Sequence, residues 1–204
     1  MIKNQMSRRN LLATTGAIAG TALFNPLSDM KVAAMETRTQ IGKKLRVALV
    51  GTGSRGTSMW GRDIQKNYSD YLEFVGLCDK NEGRVETGKR IIGASCPTYT
   101  DFEKMMRDTK PDVLIVTTMD STHHEFIIRG MEMGADIITE KPMTTDEKKI
   151  QAILDAEKRT GKNCRVTFNY RYSPHRAKIW ELLRAGEIGD ITSADFHWYL
   201  DTSH

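Results

Sequence analysis

Residues 45–56 read LRVALVGTGSRG, six mostly aliphatic residues closed by three glycines in the order G-x-G-x-x-G. Leu45 to Val50 have the length and side chains of a largely buried strand, and a polar stretch with helical spacing follows Gly56. The glycines make either an ordinary strand-to-helix turn or a phosphate seat. In a seat, Gly51 makes the turn, Gly53 lets a pyrophosphate reach the backbone, and Gly56 lets helix and strand pack. Thr52, Ser54 and Arg55 complete the loop, and unpaired N–H groups at the helix start would face the anion.

The alternation continues downstream. Leu72–Cys78 reads as a second strand and residues 81–92 as a helix. Thr100-Asp101-Phe102-Glu103 forms a capping box that opens a short helix. Val113–Val116 and Asp136–Thr139 are further apolar strands, with a helix starting near Thr122 between them. Thr144-Thr145-Asp146-Glu147 opens a helix in which Ile150, Ile153 and Leu154 share a face and Gly161 is the stop. Residues 165–168 form another strand. Short strands alternating with helices imply right-handed crossovers and a parallel sheet. The expected class is therefore α/β, a Rossmann-like doubly wound sheet over residues 45–168. Beyond it, Ser173-Pro174 starts a helix that ends near Gly186. Residues 191–200 read as a strand with nothing after it to cover it. Residues 169–204 are therefore expected to be the start of a second α+β domain, cut short near its beginning.

Residues 1–34 have a different character. Seven Lys/Arg against two acids in residues 1–44 account for more than the whole formal charge of +4, leaving the remainder at −1. No basic footprint for nucleic acid remains. Arg8 and Arg9 precede an uncharged run from Leu11 to Phe24 that is too short and too rich in small residues to span a bilayer well. This is the form of an export signal. Ser7-Arg8-Arg9-Asn10-Leu11-Leu12 resembles the twin-arginine signal, read by the export machinery as an address. Cleavage after Ala34, a linker over 35–44 and a periplasmic or otherwise exported location follow as expectations, with a retained leader acting as a tether the alternative. Cys78, Cys96 and Cys164 are too widely spaced for a metal site or disulfide framework, and Cys78 reads as a buried thiol.

Asp79 ends the second strand, 23 residues beyond Gly56. A carboxylate there accepts both ribose hydroxyls of NAD and repels a 2′-phosphate. The alternative is a helix N-cap or loop Asp, and Lys80 beside it would tolerate NADP. Thr117, Thr118, Asp120 and His123 follow one strand, and Glu140-Lys141-Pro142 follows the next. Ligands of open parallel sheets bind beyond the carboxyl ends of strands, so both clusters converge on one mouth.

In these residues the chain resembles the glucose–fructose oxidoreductase, inositol dehydrogenase and MocA family of NAD(P)-dependent sugar oxidoreductases. The resemblance rests on the glycine loop, Asp79 with Arg84, Asp120-x-x-His123, Glu140-Lys141-Pro142 and Asn169-Tyr170-Arg171-Tyr172-Ser173-Pro174. It implies that Lys141 orients the reacting hydroxyl and assists its proton loss, because burial beside a cationic nicotinamide lowers a lysine's pKa. It implies cofactor contacts for Glu140, His123, Asn169 and Arg171, a catalytic place for His123 beside the cofactor, and an approach of Arg171 to the substrate. His123 also reads as a backbone cap, and Arg171 as an interdomain ion-pair partner. The same resemblance implies a sugar-like substrate and a homo-oligomer formed through the second domain. It leaves open a lyase or glycosidase that recycles its NAD, or a dinucleotide-binding protein without activity.

Overall fold

A computed structural model describes residues 43–171 and 173–199. The leader, with its arginine pair, the Ala34 cleavage point, Tyr172, and residues 200–204 lie outside the described residues. Six strands form one parallel sheet: β1 (Leu45–Val50), β2 (Leu72–Cys78), β3 (Thr98–Tyr99), β4 (Val113–Val116), β5 (Asp136–Thr139) and β6 (Cys164–Val166). Their spatial order is β3-β2-β1-β4-β5-β6. The chain thus winds outward from β1 in one direction and from β4 in the other, and the crevice between β1 and β4 is the switch point where such sheets bind ligands.

The strands are apolar because both faces are covered. Val47 and Leu49 of β1 and Val113 and Ile115 of β4 face one core with Phe74, Leu77, Val85 and Ile92. Ala48, Val50, Leu114 and Val116 alternate onto the other, against Met105, Met106, Ile127, Met131 and Ile153. Helix α1 packs on the first face and begins as a π-helix, Gly56–Asp63, that continues as an α-helical turn, Ile64–Tyr68. Helix α2 (Glu82–Ile92) shares that face. Helices α3 (Phe102–Thr109), α4 (His123–Glu132) and α5 (Glu147–Thr160) cover the second.

The helix starts differ from the expected caps. Asp101, not Thr100, caps α3 by accepting from Lys104 N, and Asp146, not Thr144, caps α5 by accepting from Lys149 N. A carboxylate oxygen one or two residues nearer the helix is the stronger acceptor at a positive helix end. Thr144 is instead buried, its hydroxyl without a partner. Asn81 caps α2, and Gly161 closes α5 in the left-handed region at φ 67°. The two-residue β3 was not foreseen, and the last strand is Cys164–Val166, displaced from the expected 165–168.

Helix α6 (Pro174–Arg184) follows, with Gly186 just past it. The strand expected over 191–200 is absent among the described residues: 191–199 pair with no strand of the sheet, and all are exposed. An isolated apolar run gains its strand conformation only from a neighbour that completes its hydrogen bonds.

Candidate functional site

The glycine loop leaves β1 at the switch point. Gly51 has φ +93°, and a Cβ there would lie 2.6 Å from the Thr117 carbonyl. A Cβ on Gly56 would lie 2.1 Å from Gly51 O, so the start of α1 is pressed directly against the loop. Gly53 differs: its Cβ position has nothing within 4 Å. Two glycines are required by the protein's own packing, whereas the middle one borders open space. Thr57 N donates to Gly53 O, and N–H groups ahead of that first bond have no intrahelical partner.

Asp79 is 7 % exposed and joins the loop to the end of β2. Its Oδ2 accepts from Thr52 N at 2.9 Å and Thr52 Oγ1 at 3.3 Å, while Oδ1 accepts from Asn81 N at 3.0 Å. The Arg84 guanidinium stands 3.6 Å from Oδ1. Asp79 therefore shapes the loop as well as facing a cavity of about 440 Å³. Gly51 and Gly53, the end of β2, Thr117 to Met119 and the edge-to-face pair Phe102–Phe126 border that cavity. Its apolar wall and single carboxylate suit an adenosine. Burial, with Asp79 adjacent, pushes the Cys78 thiol up to about 12, which keeps it a neutral part of the wall.

Beyond β4, Thr117 Oγ1 donates to Gly51 O at 2.6 Å, so this residue braces the loop. Thr118 Oγ1 accepts from Thr122 Oγ1 at 3.0 Å, and Asp120 is exposed in a single 3-10 turn, Asp120–Thr122. His123 is only 1 % exposed. Its Nδ1 lies 2.8 Å from Pro142 O and its Nε2 3.0 Å from Thr118 O. Carbonyls only accept and a neutral imidazole carries one N–H, so the tautomer decides which of the two contacts is the hydrogen bond. In this arrangement the ring joins the turn after β4 to the turn after β5 and has no nitrogen left for a substrate, which differs from the catalytic place expected for it.

Glu140 is held within the protein. It is buried, and its Oε1 accepts from Arg55 Nε at 2.9 Å and from Trp60 Nε1 at 2.8 Å. Lys141, the next residue, is exposed and forms no ion pair among the described residues. The burial expected around it is not supplied by these residues. Asn169 and Arg171 lie exposed in the turn after β6, and neither side chain bonds to the described residues. Trp60 was not anticipated as part of the site. Its only signal was an indole in an otherwise polar helix. Among the described residues, no group of three His, Cys, Asp or Glu could hold a metal ion, and no helix is long and apolar enough to cross a membrane.

Open space at Gly53, unpartnered N–H groups beside it and a carboxylate-marked apolar cavity fit a dinucleotide. The profile of an oxidoreductase family with an NAD-binding Rossmann fold, GFO_IDH_MocA, matches residues 45–168. The chain belongs to the Gfo/Idh/MocA oxidoreductase family. It is 37 % identical over 162 residues to Bacillus subtilis YteT, covering 78 % of this chain and 38 % of that one. It is 34 % identical over 146 residues to the scyllo-inositol 2-dehydrogenase (NAD(+)) of the same organism, covering 72 % and 42 %. Glycosyl hydrolase family 109 protein 1 of Akkermansia muciniphila is 31 % identical over 156 residues, covering 72 % and 32 %. The matched region thus spans well under half the length of these relatives. The cofactor of this Rossmann domain is NAD.

Proposed function

We propose that the whole protein is an exported oxidoreductase that uses NAD, with NADP an alternative, to oxidise or reduce a secondary alcohol of a sugar or sugar derivative. The observation that carries this reading is the exposed Lys141 side chain at the carboxyl end of β5. It follows a Glu140 tied to the glycine loop, while Asp79 borders the cavity at the end of β2. Bound NAD would supply the hydride acceptor. Lys141 holds the alcohol oxygen and takes its proton, assistance worth roughly 10²–10⁴-fold. His123 keeps the turn carrying Lys141 in place by bonding to Pro142 O.

Kinship with an NAD-dependent inositol dehydrogenase supports a polyol or sugar substrate. Residues 169–204 are read as the opening of a substrate-binding and oligomer-forming domain, supported by the greater length of the relatives. Export rests on Arg8-Arg9 before the uncharged run. The kinship with a glycosyl hydrolase favours a second reading, in which the sugar is oxidised transiently and the hydride returned. Incubating the complete protein with NAD and a panel of polyols and glycosides separates the two. NADH accumulates under the first, and glycosidic cleavage proceeds without net NADH under the second. Neither outcome with any member of the panel would contradict both.

A further inference from the structure

Methionine is placed unequally in this fold. Met105, Met106 and Met131 are buried in the core and Met59, Met133 and Met143 are half-buried, but Met119 is 71 % exposed. It follows β4 on the turn beside the crevice and borders the same cavity as Gly53, Asp79 and Phe126. Its main chain is held, because Met119 O accepts from Thr122 N at 2.8 Å. The exposed thioether is therefore carried on a fixed turn at the edge of the dinucleotide cleft.

That exposure makes Met119 the sulfur of the cavity that is open to oxidants. Cys78 borders the same cavity but is buried, and a pKa pushed up to about 12 keeps it from forming the thiolate that a peroxide attacks. Burial likewise raises Cys96 to about 11 and Cys164 to about 12. A thioether needs no deprotonation. Its sulfur takes one oxygen atom from a hydroperoxide, whose O–O bond breaks and which leaves as water or an alcohol; the sulfur is oxidised and the peroxide reduced by two electrons. The sulfoxide so formed is polar, and reduction by a dithiol returns it to the thioether as the dithiol becomes a disulfide and the oxygen leaves as water. A thioether gains when a nucleoside covers it. A sulfoxide in the same place is solvated while the cavity is open and loses that water when the nucleoside arrives.

We propose that Met119 is a reversible oxidation site that controls cofactor binding: the thioether admits NAD, and the sulfoxide formed with a hydroperoxide lowers its affinity until a dithiol reductant removes the oxygen. The proposal rests on the dinucleotide cleft described above. Bound cofactor, covering the same wall, in turn shields the sulfur from the oxidant.

The test treats the full chain with hydrogen peroxide in the presence and absence of NAD and locates added oxygen by peptide mass spectrometry. NADH is titrated by fluorescence before and after treatment, with a thermal melt of each sample as the folding control. Met119 is expected to gain one oxygen ahead of the buried methionines and the cysteines, and NAD is expected to slow that gain. The oxidised wild type should bind NADH roughly five- to hundredfold more weakly, and methionine sulfoxide reductase with dithiothreitol should restore it. Met119→Leu has no sulfur to oxidise, so peroxide should leave that variant's own NADH affinity, whatever its starting value, unchanged. Met119 left unoxidised, a Met119 sulfoxide that binds NADH like the thioether, oxidation at the same rate with NAD bound, or a Met119→Leu that loses affinity on treatment as the wild type does would each overturn the proposal. Untreated wild-type chain that fails to bind NADH at all would instead overturn the dinucleotide cleft itself.

Discussion

Adding one methyl group at two glycines of the same loop should give opposite results. In Gly56→Ala the new Cβ would lie 2.1 Å from Gly51 O and 2.6 Å from Thr117 Oγ1. Either the loop or the start of α1 must move by about an ångström, and the 2.6 Å bond from Thr117 Oγ1 to Gly51 O is lost. Overpacking costs about 1–3 kcal/mol and the hydrogen bond about 0.5–1.5 kcal/mol. A loss of roughly 2–4 kcal/mol is expected, which for a chain of this size lowers the melting temperature by roughly 4–16 °C. In Gly53→Ala the methyl meets nothing within 4 Å, and no positive φ opposes it. Stability should be unchanged or rise by about 0.4–1 kcal/mol as the unfolded chain loses freedom. The methyl then stands where a phosphate must approach the backbone, and NADH should bind roughly ten- to hundredfold more weakly. Urea denaturation and an NADH titration on each variant measure both quantities. Gly53→Ala binding NADH like wild type would refute the phosphate seat, and Gly56→Ala melting like wild type would refute the close packing.

Other substitutions separate binding from architecture. Asp79→Ala removes the carboxylate that faces the cavity and is expected to shift the ratio of dissociation constants toward NADP by about tenfold; an unchanged ratio would show that another group sets the preference. His123→Leu leaves the carbonyl served by the ring N–H, that of Pro142 or Thr118, without its partner in the interior. A loss of about 1–3 kcal/mol in urea denaturation is expected, and a midpoint within error of wild type would refute the joining role. Cys78 holds its proton to about pH 12 when folded, against an ordinary value of 9.0. Its contribution to stability is therefore complete below pH 9 and declines as pH rises from 9 toward 12. Alkylation of Cys78 at pH 8 should occur only on unfolding, and rapid labelling of the folded chain would contradict its burial.

Strands β1, β2, β4 and β5 were legible because they are short, mostly aliphatic runs whose burial needs no strict alternation, whereas Thr98–Tyr99 and Cys164–Val166 carry no such run. The glycine loop and Asp79 were legible because the turn after β1 and the end of β2 are local features at a characteristic spacing. Contacts across the site were not. Glu140 meets Arg55 and Trp60 across 85 and 80 residues of sequence, and no periodicity reports such a pairing. A reading at 3.6 residues per turn also misplaces side chains on α1, because its first eight residues are π-helical. His123 was placed in the chemistry by the family resemblance, and only the fold reveals that two carbonyls face its ring. The strand expected over 191–200 followed from its apolar residues alone, which set a preference without supplying a neighbour.

The most direct test of the account compares hydride transfer and cofactor binding in Lys141→Ala. A single-turnover experiment with the complete protein, NAD and a polyol that the wild type oxidises would follow NADH by its absorbance, with an NADH titration run in parallel. The account predicts a rate lower by roughly 10²–10⁴-fold with cofactor affinity within twofold of wild type. Hydride transfer at the wild-type rate would contradict it, because proton removal from the alcohol would then belong to some other group.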